Sequence, residues 1–130
     1  MQPRSSVDKI RTYRIRVLRL TKQDGTVVAE PLEIASNFIS SGLGLMGRAR
    51  LPEKGGLLIY GCSGIHMMFM RFPIDAVFVD KKGVVVKTYE RLLPWIGMVP
   101  FVWRADKVAE LPAGTIRRHV IKPGDQLLIA

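Results

Sequence analysis

The sequence predicts a mainly β single domain, a small distorted sandwich or partly closed barrel of about eight short strands with one or two short helices. Three observations lead there. Short runs of β-branched and aromatic residues recur along the chain, with turn signals such as Asp24-Gly25, Asp80-Lys81-Lys82-Gly83 and Lys122-Pro123-Gly124-Asp125 between them. The longest apolar stretch, Cys62 to Asp80, is interrupted by His66, Arg71 and Asp75, and Pro73 divides it. No repeat, low-complexity tract or linker separates a second unit, so residues 10–130 are expected to form one domain behind a flexible N-terminus, 1–9.

In chain order, Tyr13, Ile15 and Val17 alternate with Arg14 and Arg16, the period of a strand with one wet face. The phase changes at Leu18 and Leu20, which suggests a bulge. After the Asp24-Gly25 turn, Val27 to Ile34 returns as a second strand that Pro31 breaks or confines to an edge. Ser36 or Asn37 can cap a short helix carrying Phe38, Ile39, Leu43 and Met46, weakened by Gly42, Gly44 and Gly47. A loop over 51–56 precedes a buried strand, Leu57 to Tyr60. Ile65 to Phe72 reads as a central strand, Ile74 to Val79 as the next, and Val84 to Arg91 as its hairpin partner. Val108 to Leu111 is a further strand, Pro112 opens a turn or short helix through Arg118, and Gln126 to Ile129 closes the chain.

Between them lies Leu93 to Arg104, which contains Pro94, Gly97 and Pro100 and reads as a loop. It is unusually apolar for one, with Trp95, Ile96, Met98, Val99, Phe101, Val102 and Trp103. Such a loop packs on the body as a lid or presents an apolar surface to a partner.

The 130 residues are 48% hydrophobic and 24% charged, a globular composition. No run reaches the roughly 18 apolar residues a spanning helix needs. The N-terminus lacks an apolar core and a small-residue cleavage site, so no signal peptide is expected and the cytoplasm is the expected compartment. A single cysteine excludes an internal disulfide and a cysteine-only zinc site. The net charge of +9 comes from 20 dispersed Lys and Arg residues. It favours anionic partners without specifying one, and no aromatic platform or helix–turn–helix accompanies it.

Several motifs in fixed order resemble a known family. Gly44-Leu45-Met46-Gly47-Arg48-Ala49-Arg50-Leu51 has the form GLM-x-R-x-x-L, and Gly56-Leu57-Leu58 follows. Then come Phe69-Met70-Arg71, Pro73-Ile74-Asp75, Phe78-Val79-Asp80-Lys81-Lys82-Gly83, Glu110-Leu111-Pro112-Ala113-Gly114 and Ile121-Lys122-Pro123-Gly124-Asp125. From about Met46 to Ile129 the chain resembles the "domain of unknown function 192" family. The resemblance implies a single β-rich domain and no known activity, substrate or cofactor. The commoner aromatic-Met-Lys-Asn-Thr run of that family is absent, because Arg71 passes directly into Phe72-Pro73, while Cys62-x-x-x-His66 stands upstream.

The polar residues inside Cys62–Asp80 carry any chemistry. On a strand, His66, Met68, Met70 and Phe72 would share one face and Ile65, Met67, Phe69 and Arg71 the other. His66, Met68 and Met70 with Cys62 could line up soft ligands for copper(I), or the methionines could fill core space. Cys62 and His66 could form a thiolate–imidazolium pair, although no oxyanion donor is evident, or Cys62 could be a small buried hydrophobe. Arg71 and Asp75 read first as an ion pair stitching two strands and second as an anion fork with its orienting carboxylate. Asp80 and Asp125 fit turn-capping roles, and Glu110 ends a strand with no carboxylate partner in view.

These readings converge on a non-enzymatic binding or interaction module whose candidate binding residues are Cys62, His66, Arg71, Asp75, Trp95 and Trp103. No catalytic residue, metal ligand or cofactor is assigned. The expected partner is a protein or a small anionic ligand. One alternative is a small enzyme or metalloprotein using Cys62 and His66; another is sequence-independent nucleic-acid binding through the Arg14/Arg16 strand.

Overall fold

The computed structural model describes residues 17–35, 54–67 and 71–130, with Ala35 and His66 described by backbone alone. The Tyr13–Arg16 strand start, the Ser36–Arg50 helix with its GLM-x-R-x-x-L motif, and Met68 to Met70 lie outside the described residues. The described residues form, in order, β1 (Leu20–Lys22), β2 (Val27–Ala29), β3 (Leu32–Ala35), β4 (Gly56–Tyr60), β5 (Ile65–His66), β6 (Ile74–Val79), β7 (Val85–Leu92), β8 (Met98–Val99), β9 (Lys107–Pro112), α1 (Thr115–His119) and β10 (Leu127–Ile129). They form a three-stranded sheet, β10-β1-β2, a five-stranded sheet, β3-β4-β9-β6-β7, and a two-stranded ribbon, β5-β8. The pairing of β3 with β4 is parallel and every other pairing is antiparallel. The architecture is a small distorted sandwich, and no barrel closes among the described residues.

The five-stranded sheet carries a core on each face. All six residues of β6 are buried, so its sequence reads as a continuous apolar run broken only by Asp75. Ile74, Ala76 and Phe78 join Leu57, Ile59, Met67, Val99, Val102 and Val108 in one core. Val77 and Val79 face the other way, with Leu58, Ala109 and Leu111, and pack against Leu20, Val28 and Leu127 of the small sheet and Ile116 of α1. Alternation along β9 divides Val108 from Ala109 and Leu111 in the same manner.

The turns follow their local chemistry. Asp80 Oδ1 accepts the N–H groups of Lys82 (2.8 Å) and Val84 (2.9 Å), and Gly83 takes φ 85°. Asp125 Oδ2 accepts the Lys122 N–H at 2.9 Å. The break at Pro31 divides the second expected strand into β2 and β3, which belong to different sheets.

Three expectations change. Among the described residues, the Ile65–Phe72 stretch does not supply the central strand: β5 covers Ile65–His66 and pairs with β8, whereas β9 occupies the middle of the large sheet. The face-sharing drawn for His66, Met68, Met70 and Phe72 involves Met68 and Met70, which lie outside the described residues. The helix begins at Thr115, because Pro112 is still paired with Ile74 as the last residue of β9. The Arg71–Asp75 ion pair is replaced by other bonds. Asp75, at 0% exposure, accepts the backbone N–H groups of Arg91 (2.9 Å), Gly114 (3.1 Å) and Ile116 (2.8 Å), while Arg71 is exposed.

Removing that carboxylate leaves one buried and two part-buried N–H donors without it, so Asp75→Ala is expected to lower unfolding stability by about 3 kcal/mol. Asp75→Asn keeps the shape but presents an NH2 to donors, and is expected to cost at least about 2 kcal/mol. Urea denaturation measures both; an Asn variant within about 0.5 kcal/mol of the native chain would show that the charge on this group is immaterial.

Candidate functional site

The second core is roofed by the turn after β4, the β5-β8 ribbon and the segment from Leu93 to Arg104. Main-chain bonds staple these pieces together. Met67 donates its N–H to Gly97 O at 2.9 Å and accepts the Trp95 N–H at 2.7 Å, and Val102 N–H donates to Ser63 O at 2.8 Å. Gly97 is required here, because a Cβ would lie 2.8 Å from Met67 Cγ and 2.9 Å from Leu93 O. Below the staples, Met67, Val99 and Val102 are buried.

The other side chains of the segment point outward. Leu93, Trp95, Ile96, Met98, Phe101 and Trp103 are exposed, Ile96 and Trp103 at 75%. Six large apolar side chains in one short segment exceed the scattered exposure that is ordinary on a protein surface. Trp95 (φ 70°) and Arg104 (φ 73°) hold left-handed backbone angles that disfavour residues with a Cβ by roughly 1 kcal/mol or more each.

Beside the segment runs a groove of about 440 Å³ lined by Val86, Lys87, Tyr89, Phe101, Val102, Trp103 and Arg104. Tyr89 is set edge-on to Phe78, with ring centroids 6.0 Å apart at 85°, and Lys87 Nζ lies 5.7 Å from the Tyr89 ring centre. The groove therefore combines aromatic walls with two cations.

The residues singled out from the sequence do not gather in one pocket. Cys62 packs against the second core, and Asp75 faces the first core across the sheet. The Cys62 thiol donates to Gly64 O at 2.8 Å. Burial pushes this thiol up, and the charge of Glu110 adds to the effect, the opposite of an activated nucleophile. His66 lies opposite Met98 in the ribbon. Trp95 and Trp103 are both exposed. Arg14 and Arg16, on which the nucleic-acid alternative rests, lie outside the described residues.

Glu110, expected to end a strand and not taken as a candidate binding residue, instead has strand on both sides of it. It sits inside β9, between Leu57 of β4 and Ala76 of β6, and is only 8% exposed. Burial raises its carboxyl to about 7. The signal in the sequence is an acidic residue within the apolar run Val108 to Pro112, which continues as strand beyond it.

With this geometry in hand, residues 19–129 match a family described as "Uncharacterized ACR", the domain of unknown function 192. The chain belongs to that family. A protein of unknown function from Novosphingobium aromaticivorans DSM 12444 has a similar fold, with TM-score 0.73 and 23% identity over 85% of this chain and 82% of that one. A protein from Sinorhizobium meliloti 1021, provisionally described as a transcription regulator, superposes with TM-score 0.72 and 26% identity over 85% of this chain and 90% of its own. No curated protein matches the chain. Among the described residues of this family member, no helix is long and apolar enough to cross a membrane.

Two pH experiments follow. Folding raises the Glu110 carboxyl from 4.5 to about 7, so the unfolded chain ionises first, and stability falls as pH rises from 4.5 through about 7, by about 3 kcal/mol in all. His119, lowered by burial and then by Arg118 and Lys22, acts in the opposite sense below pH 6.5. The difference between native and Glu110→Gln urea curves isolates the Glu110 contribution; parallel curves across that range would remove it. For Cys62, the iodoacetamide alkylation rate is expected to rise only above pH 9.0, the ordinary thiol value. A midpoint below about pH 7.5 would instead mark an activated thiol.

Proposed function

We propose that this chain is a non-catalytic docking module, with the Leu93–Trp103 segment as its recognition surface and the Cys62–Met67 turn and ribbon as its support. One observation carries this reading: Trp95 and Trp103 stand exposed while Val99 and Val102 of the same segment are buried. The anchoring is accomplished by small aliphatic residues and main-chain bonds, so the large aromatics are not needed to close the core. Exposed Trp, Phe, Met and Ile on a stapled frame supply large apolar area with little ordering left to complete on contact. The excess of Lys and Arg adds attraction for an anionic partner.

Ile96→Ser and Trp103→Ser, alone or together, are expected to change unfolding stability by less than about 1 kcal/mol, because neither side chain is substantially buried. A photocrosslinking residue at Phe101 in the native host is expected to form a discrete adduct that disappears when both substitutions are added. A stability loss of about 2 kcal/mol or more, or an adduct pattern indifferent to the substitutions, would make the segment a structural lid.

A further inference from the structure

The groove next to this surface has a feature that an apolar patch lacks. It lies against a sheet edge that is largely unpaired among the described residues. β7 is the outermost strand of the five-stranded sheet. Its first residue is occupied, since Val85 N–H donates to Asp125 O at 2.8 Å and Val85 O accepts the Gly124 N–H at 2.8 Å. From Val86 to Glu90, no strand among the described residues covers its outer side. Along such an edge alternate residues turn a peptide N–H and C=O outward.

Side chains of the same stretch line the groove. Lys87 lies opposite Phe78 and Tyr89 opposite Ala76, so both stand on the face of the second core. Val86, Lys87 and Tyr89 form one wall, and Phe101, Trp103 and Arg104 form the other. None of the groove's lining residues is acidic, and Lys87 and Arg104 are both exposed. An extended chain laid along β7 would meet backbone partners on one side, an aromatic slot above, and two cations along its course.

We infer that this groove takes an extended acidic–apolar segment of another protein, added to β7 as a further strand. An apolar side chain of that segment would sit between Tyr89 and Trp103, and a carboxylate would pair with Lys87 and Arg104. The inference rests on the docking reading above and names the partner's chemistry. A second copy of this chain fits poorly, because it brings its own net charge of +9 to the same edge. A bilayer would use the aromatic tips and leave the β7 backbone unengaged.

Selection of phage-displayed random decapeptides on the intact protein tests this, followed by backbone-amide NMR with a selected peptide. Enrichment of alternating acidic and apolar residues is expected, with amide shifts concentrated at Val86 to Glu90. Combined Lys87→Glu and Arg104→Glu substitution is expected to weaken the peptide at least about tenfold. Proline at the peptide's centre is expected to abolish binding. Selection no better on the native chain than on the doubly substituted one, or binding that leaves β7 amides unmoved, overturns the inference. So does a blue shift of tryptophan emission on phosphatidylserine vesicles without any peptide enrichment, which assigns the surface to a membrane. If the Phe101 crosslink still depends on Ile96 and Trp103 while no peptide engages β7, the docking reading stands and this inference alone falls.

Discussion

A fully buried carboxylate would be expensive by several kcal/mol if left alone, and Asp75 is offset by three peptide N–H groups drawn from different parts of the chain. Arg91 lies near the end of β7, at a left-handed backbone angle of φ 53° next to a register shift in the β6-β7 pairing. Gly114 and Ile116 open α1. A five-residue helix cannot hold itself in water, and the residue capping α1 is a glycine with no side chain to give. The capping acceptor comes instead from a neighbouring strand. Asp75 thereby fixes where β7 stops, where α1 starts, and the delivery of Ile116 to the first core.

That arrangement explains why the two faces of the large sheet have different parts to play. The first face is closed by the small sheet and by a helix whose start is pinned, and its polar capacity is consumed internally. The second face is closed by a roof held mainly through main-chain staples at Met67 and Val102. On that roof the side chains of Ile96, Phe101 and Trp103 are exposed. Glu110 lies beneath the same face, with its carboxyl raised by burial to about 7.

Much of the fold was legible because turns and strand runs are local. Asp80-Lys81-Lys82-Gly83 and Lys122-Pro123-Gly124-Asp125 form the expected turns with Asp as the internal acceptor, and Pro31 divides a strand as expected. Pairing partners were not legible, since they depend on residues far apart. Ile65 has the composition of a central strand, yet it pairs with Val99 of an edge ribbon, while the ordinary-looking Val108–Leu111 run fills the middle of the sheet. Asp75 was recognisable as a charge that needs a partner. Its proximity to Arg71 in sequence suggested the wrong one, because strand alternation sends Asp75 into the first core toward backbone donors contributed from residues 91–116.

The site was partly legible for a related reason. An apolar loop containing two prolines and a glycine allows a lid or an exposed surface, and composition alone does not choose between them. The choice follows from how the segment is held. Met67 and Gly97 bond main chain to main chain, and a larger residue at position 97 would collide with Met67 and Leu93. Once those bonds and the buried pair Val99 and Val102 secure the roof, burying Trp103 or Phe101 is unnecessary for closure. Exposed aromatics on a frame held by other residues, beside a strand edge that no strand among the described residues pairs and two cations, are the observations on which the proposed docking reading rests.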